Sequence, residues 1–392
     1  MTDSTRSYVR DEHSISQQPD WDTHPDRVHA VSELSTHKPL VRIEDFDELY
    51  RQLEQVANGG AHVLQIGDCA ENLAEDSAAH HLRKTDFLAL MSRKLGGSAA
   101  VPVVGIGRIG GQFAKPRTNP TEMIGNVELP SFKGELINSP DATVSGRAHD
   151  PLRMVSVRNA SRHAIDHLAE VRRGTGHDTM GPWSSHEALV LDYERPQIRE
   201  NNKGIRYLTS THVPWIGNRT RSLDSAHVAL MASVANPVGI KIGPETTAES
   251  IVALCHSIDP DRISGRLTLI ARLGNGTVES VLPALVRAVQ NAGHNPIWLC
   301  DPLHGNTLSA SNGVKTRRLA DAISEVQQFC TSFDASGARP SGLHLETASH
   351  HVTECTGAGV VESDLLSSTY ETLCDPRLNP EQTEQVISAF TR

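Results

Sequence analysis

Residues 238–271 read VGIKIGPETTAESIVALCHSIDPDRISGRLTLIA. Two short apolar runs, VGIKIG (238–243) and RLTLIA (266–271), enclose a stretch over Thr246–Ile258 whose apolar residues recur three to four apart. The outer runs are rich in β-branched residues and bounded by Gly or Pro, which is how strands buried on both faces read. The middle stretch has the spacing of an amphipathic helix. Strand, helix and strand in that order imply a parallel sheet.

The same alternation extends in both directions. AHVLQIG (61–67), VPVVGIG (101–107), ALVLDY (188–193), IRYLTS (205–210), NPIWLC (295–300) and SGLHLE (341–346) bring the strand candidates to eight. Helical spacing recurs over Ser77–Leu95, Pro151–Val171, Ser222–Ala235, Val278–Ala292, Thr316–Phe333 and Pro380–Phe390. Eight strands alternating with helices match an α/β chain folded as a (β/α)8 TIM barrel, with a doubly wound open sheet as the alternative. Gly110–His149 shows little pattern and reads as a long functional loop. Residues 1–20 are polar and read as a mobile arm, and 21–58 as an N-terminal extension with one short helix near Asp45–Ala57. The expected division is therefore 1–58 for arm and extension and 59–392 for the catalytic barrel.

With 392 residues, the chain is long enough for a large core. A net charge of −10 argues against non-specific nucleic-acid binding, but not against an anionic substrate held by local cations. No apolar run is long enough for a membrane span, and the N-terminus has no secretory apolar region. The six cysteines form no CxxC pair, and their scatter suits a reducing cytoplasm.

In a (β/α)8 enzyme the chemistry sits just past the C-terminal ends of the strands. The residues there are Asp68, Cys69 and Glu71; then Arg108, Lys115 and Arg117; then Thr211, His212, Trp215 and Arg219. Lys241, Arg272, Asp301, His304 and Glu346 follow, with Asp375 farther on. Cys69, His304, Glu346 and Asp375 form a mixed sulfur, nitrogen and oxygen set suited to Mn, Fe, Co or Zn rather than Ca or Mg. Arg108, Arg219, Lys241 and Arg272, with Lys115 and Arg117 nearby, would repel one another unless anions such as phosphate or carboxylate joined them. Taken singly, a Cys is ordinarily a small buried hydrophobe and a strand-end cation a solvated rim charge. The joint pattern carries the reading. Gly105–Gly110 fits GxGxxG, but the prolines of the following segment GQFAKPRTNPTE prevent the helix that a dinucleotide fold needs. The pairs His80–His81 and His350–His351 read as surface residues.

The motifs GDCAEN (67–72), GRIGGQFAKPRT (107–118), SSHEALVLDYE (184–194), STHVPWIGNRTRSLDSAHVAL (210–230) and NPVGIKIGP (236–244) resemble type II 3-deoxy-D-arabino-heptulosonate 7-phosphate (DAHP) synthases. So do GRLTLIARLGN (265–275), CDPLHGNT (300–307), GLHLE (342–346), VTEC (352–355) and CDPRLNP (374–380). The likeness runs in order from about residue 21 to 390 and is greatest to the compact members of secondary metabolism, such as those of phenazine pathways. The resemblance implies condensation of phosphoenolpyruvate with D-erythrose 4-phosphate and water. It implies a divalent metal on Cys69, His304, Glu346 and Asp375. It implies phosphoenolpyruvate binding by Arg108, Asn218, Arg219, Lys241 and Arg272, and aldose phosphate binding by Lys115, Pro116 and Arg117. Lys241 and His304 are the candidate catalytic residues, with Lys241 as general acid. Homodimers or higher oligomers are common in the family.

One position departs from the family pattern. Asn218 stands where WIGERTR has Glu, just before Arg219. That keeps open a paralogue using an amino- or otherwise altered aldose phosphate. A non-catalytic regulatory homologue would have lost metal ligands, and all four residue types are present. Cys374 directly precedes Asp375, so Cys69 and Cys374 are expected to meet and to form a disulfide on oxidation.

Overall fold

The two runs that opened the sequence reading do pair in parallel, with Ile240 opposite Leu269. The computed structural model describes residues 13–174, 180–334 and 336–391. Eight parallel strands close into a barrel: β1 (His62–Gly67), β2 (Val103–Arg108), β3 (Met180–Glu187), β4 (Val213–Ile216), β5 (Val238–Ile242), β6 (Leu267–Ala271), β7 (Ile297–Cys300) and β8 (Gly342–Glu346). Pairing of β8 with β1 completes the ring and excludes the open doubly wound sheet.

Helices α1 (Arg27–Thr36) and α2 (Asp45–Ala57) precede the barrel. Seven more follow strands within it: α3 (Ala78–Gly96), α4 (Arg153–Gly174), α5 (Ala226–Ala232), α6 (Ala248–Ile258), α7 (Val278–Asn291), α8 (Leu319–Thr331) and α9 (Pro380–Phe390). In α6, Thr247 caps the first turn, and Ile251, Leu254, Cys255 and Ile258 turn one apolar stripe to the sheet.

Two strand assignments change. ALVLDY is not a barrel strand; Ala188–Leu191 and Tyr193 are buried, and Leu191–Glu194 is a single helical turn. The third barrel strand is the preceding, polar MGPWSSHE. Its polarity hid it, because Ser184, Ser185 and His186 are buried and find partners inside the fold: Ser185 Oγ donates to Gly107 O at 2.9 Å, and His186 Nε2 meets Glu194 at 2.8 Å. IRYLTS supplies only Arg206–Leu208, paired antiparallel with Ile198–Glu200, and VPWI forms the fourth barrel strand. The Gly110–His149 loop also has structure, a hairpin of Thr121–Ile124 with Val127–Pro130. α1 was not anticipated.

Three further expectations are corrected. His80 and His81 are 6% and 7% exposed rather than at the surface, with their Nε2 atoms 3.2 and 3.3 Å from Glu75 and Asp76. His212 precedes β4 and so lies at the N-terminal end of the barrel, opposite the expected chemistry. Of the supposed mobile arm, residues 1–12 lie outside the described residues, whereas 13–20 lie along the loops at the C-terminal face.

α2 closes the N-terminal end. Phe46, Leu49, Leu53 and Val56 pack with Val63, Trp183, Val213, Ile297 and Leu299. Each such side chain stabilises by roughly 1.5–3 kcal/mol when fully buried. With one end plugged by apolar side chains, the polar groups of the barrel interior open towards the other.

Candidate active site

Glu346, the last residue of β8, is fully buried. A lone carboxylate there would be very costly, and four cationic or imidazole groups surround it. Its Oε1 lies 3.0 Å from Arg108 Nη2, 2.8 Å from Lys115 Nζ and 3.1 Å from His304 Nε2. Its Oε2 lies 3.0 Å from Arg317 Nη2. Burial opposes the charge, but His304, Lys115 and Arg317 outweigh it and hold the carboxyl well below its usual range.

His304, Glu346 and Asp375 bring ligand atoms within 4.8 Å of one another. Cys69 stands at the edge of this trio, its sulfur accepting from Asp375 N at 3.5 Å and lying 3.2 Å from Thr372 Oγ1. A hydrogen bond from the Cys374 thiol, opposed by burial and aided by Lys115, lowers Cys69 to about 7. The two thiols therefore meet, as the sequence led us to expect. One soft sulfur, one imidazole and two carboxylates fit a borderline divalent cation by donor chemistry. His304 Nδ1 lies 2.7 Å from Asp301 Oδ2, which places the proton on Nδ1 and directs Nε2 at the cluster.

A second trio, Asp68, Glu75 and His80, is also close-set. Asp68 is already engaged by Lys84 at 2.7 Å and Arg377 at 2.6 Å, so this group is an ionic brace. Arg377 also grips Glu354, at 2.7 and 3.1 Å. The brace fixes the chain two residues beyond Asp375.

The expected anion-binding residues divide into separate environments. Arg108 is 1% exposed and spends donors on Asp68 O, Cys69 O, His344 Nε2 and Glu346. Of its five N–H groups, one on Nη1 is left for a ligand. Lys241 Nζ lies 2.9 Å from Asp301; burial lowers its pKa, Asp301 opposes this and Arg108 adds to it. Arg272 donates to His304 O at 2.7 Å. Arg219 stands at the exposed rim, 2.7 Å from Thr118 Oγ1. Asn218 Oδ1 accepts from Arg221 Nε at 3.0 Å, so this side chain turns towards Arg221.

Lys115, expected at the aldose phosphate, lies inside the ligand cluster, with Asp375 also 3.1 Å from its ammonium. Pro116 brings no donor. Arg117 donates to Glu122 at 2.6 Å and to Phe132 O at 3.0 Å, with Cys374 Sγ at 4.0 Å.

Sequence reasoning missed three groups. Arg317 follows no apolar run and gave no signal. His344 was legible as the one polar residue inside GLHLE; its Nδ1 donates to Gln65 Oε1 at 2.7 Å and its Nε2 accepts from Arg108 at 2.9 Å. Glu187 ends β3 with a buried Oε1 that has no hydrogen-bond partner among the described residues. A Cβ on Gly217 would lie 2.0 Å from that oxygen, so a larger residue there would push the Glu187 carboxylate aside.

A family model described as the Class-II DAHP synthetase family matches residues 5–181 and 169–390. A probable phospho-2-dehydro-3-deoxyheptonate aldolase of Pseudomonas fluorescens is 45% identical over 379 residues, covering 95% of this chain and 94% of that protein. A phospho-2-dehydro-3-deoxyheptonate aldolase of Streptomyces coelicolor is 38% identical, covering 94% of this chain and 92% of its own. The solved structure of such an aldolase from Francisella tularensis SCHU S4 superposes with a TM-score of 0.52, at 15% identity and over 98% of both chains. At that identity the likeness supports the barrel fold alone.

Proposed function

Since the chain belongs to the Class-II DAHP synthetase family and so condenses phosphoenolpyruvate with D-erythrose 4-phosphate and water, we propose that it does so at the mouth of the 59–392 barrel, around Glu346. The carrying observation is the convergence of His304, Glu346 and Asp375 within 4.8 Å, beside Cys69 and beneath Lys241 and Arg272. The family implies a divalent metal, and these four residues would hold it, with Mn, Co, Fe or Zn suiting the donor set. Such an ion supplies Lewis-acid polarisation of the aldehyde oxygen.

The chain's own groups do the rest. Lys241, Arg272, Arg219 and the spare N–H of Arg108 bind the phosphate and carboxylate of phosphoenolpyruvate. Arg117 meets the aldose phosphate. C3 of the enol attacks the aldehyde carbon, water adds at C2, and the hemiketal phosphate expels phosphate. Lys241 donates a proton to the aldehyde oxygen as the carbon–carbon bond forms and regains one from the water that adds at C2, because burial weakens its hold on the proton while Asp301 keeps it aimed. Asn218, turned towards Arg221, lends no support to an altered substrate. The six cysteines are unpaired and suit a reducing cytoplasm.

The test is to supply phosphoenolpyruvate, Mn²⁺ and one of several aldose phosphates, and to follow phosphate release and product mass. We expect a seven-carbon ketulosonate phosphate from erythrose 4-phosphate, with the highest kcat/KM. Turnover confined to another aldose phosphate would favour the paralogue reading.

A further inference from the structure

Residues 14–20 run across the C-terminal face of the barrel and touch three separate loops, those after β2, β3 and β4. Ser14 forms a parallel bridge with Ser225, its N–H donating to Asp224 O at 2.8 Å and its carbonyl accepting from Ala226 N at 3.0 Å. Gln18 reads the loop after β3 with both ends of its amide, donating to Leu189 O at 2.7 Å and accepting from Leu191 N at 2.9 Å. Asp20 N donates to His149 Nδ1 at 2.8 Å. Between these anchors sit Ser16, whose hydroxyl donates to Arg219 O at 3.4 Å, and Gln17, whose Oε1 accepts from Arg117 N at 3.0 Å.

Gln17 has φ 59°, left-handed backbone that a residue with a Cβ adopts at a cost. A glycine would take that conformation freely. The side chain therefore has a use that outweighs the strain, and its visible use is the Arg117 backbone. Arg219 in turn reaches Thr118, the residue after Arg117. The strap thus touches the main chain of two cations whose side chains flank one stretch of loop, a geometry suited to setting their spacing.

We propose that Ser14–Asp20 is the outer wall of the aldose phosphate subsite, with Gln17 a positioning residue that holds Arg117 for the sugar's phosphate. This deepens the function proposed above and rests on it. Among the described residues, the Gln17 side chain bonds the loop that meets the second substrate. Its loss is therefore expected to appear in the KM for erythrose 4-phosphate and not in that for phosphoenolpyruvate.

The experiment compares Gln17→Ala and Gln17→Gly with the wild-type enzyme, measuring both KM values, kcat and the thermal midpoint. We expect both variants to raise the KM for erythrose 4-phosphate about tenfold, as the loss of one positioning hydrogen bond allows. The KM for phosphoenolpyruvate and kcat are expected within about threefold of wild type. Gln17→Gly removes the backbone strain, so it is expected to fold at least as stably as wild type and still bind the aldose poorly. A purely structural turn residue would give the opposite result, glycine restoring wild-type kinetics. That outcome, or a KM for erythrose 4-phosphate within about twofold of wild type in both variants, overturns the strap proposal while wild-type turnover stands. A wild-type protein that releases no phosphate from the two substrates sinks the function itself.

Discussion

Arg317 shows how a residue with no sequence signal can control the site. It is 1% exposed, ion-paired with Glu346 Oε2 and hydrogen-bonded by Nε to Thr307 Oγ1 at 3.1 Å and by Nη1 to Pro376 O. One guanidinium thus sets both the Glu346 carboxylate and the chain beside Asp375. Lysine keeps the charge but not the fork. Arg317→Lys is therefore expected to weaken Mn²⁺ binding about tenfold or more by calorimetry, the usual cost of a lost outer-shell partner. An unchanged affinity would assign Arg317 to packing alone. Glu346 itself was legible because a carboxylate ending an apolar strand demands partners. Which partners it has was not, since Lys115 reaches it from a loop and Arg317 from the short strand Lys315–Arg317, and no periodicity reveals either path.

At the scale of elements, six of the eight barrel strands were legible as short, mostly apolar runs bounded by Gly or Pro. β3 was missed because polar residues lie on both its faces, Ser185 on one and Ser184 and His186 on the other, each with a hydrogen-bond partner. ALVLDY was mistaken for it because burial under α4 and α1 produces the same apolar run as strand pairing. The α2 plug carries a testable consequence. His212 is buried beneath it, with Nε2 3.2 Å from Asp45 and Nδ1 2.8 Å from Ser184 Oγ. Burial, against the pull of Asp45, lowers His212 to about 4. The folded state keeps this imidazole neutral while the unfolded chain protonates it near pH 6.5, so the unfolded state binds more protons between those values. Stability is therefore full above pH 6.5 and falls with pH through this window, by about 2 kcal/mol at pH 5 from this group. Urea unfolding at pH 7 and pH 5 measures it, and His212→Asn should flatten the difference. An equal pH dependence in wild type and variant would remove His212 as its source.

For the molecule as a whole, a chain of net charge −10 gathers Arg108, Lys115, Lys241, Arg272 and Arg317 at one end of its barrel. That concentration is sustained by the buried anions Glu346 and Asp301 and by the half-buried Asp375, which form the candidate ligand cluster and its support. The sequence made the strand ends visible as the source of the chemistry, but not that α2 closes the opposite end. It did not reveal that residues 14–20 return to the mouth, since polar strap residues without periodicity look like disorder. We propose that Cys69, His304, Glu346 and Asp375 hold the metal on which turnover depends. Phosphate release from phosphoenolpyruvate and erythrose 4-phosphate by metal-stripped protein, followed as Mn²⁺ is titrated in, tests this. No release before metal, saturable recovery in wild type, and no recovery in Cys69→Ser or Glu346→Gln at the saturating concentration are predicted. Turnover by the stripped wild-type protein in chelator, or a Glu346→Gln variant with the wild-type metal dependence, would contradict it.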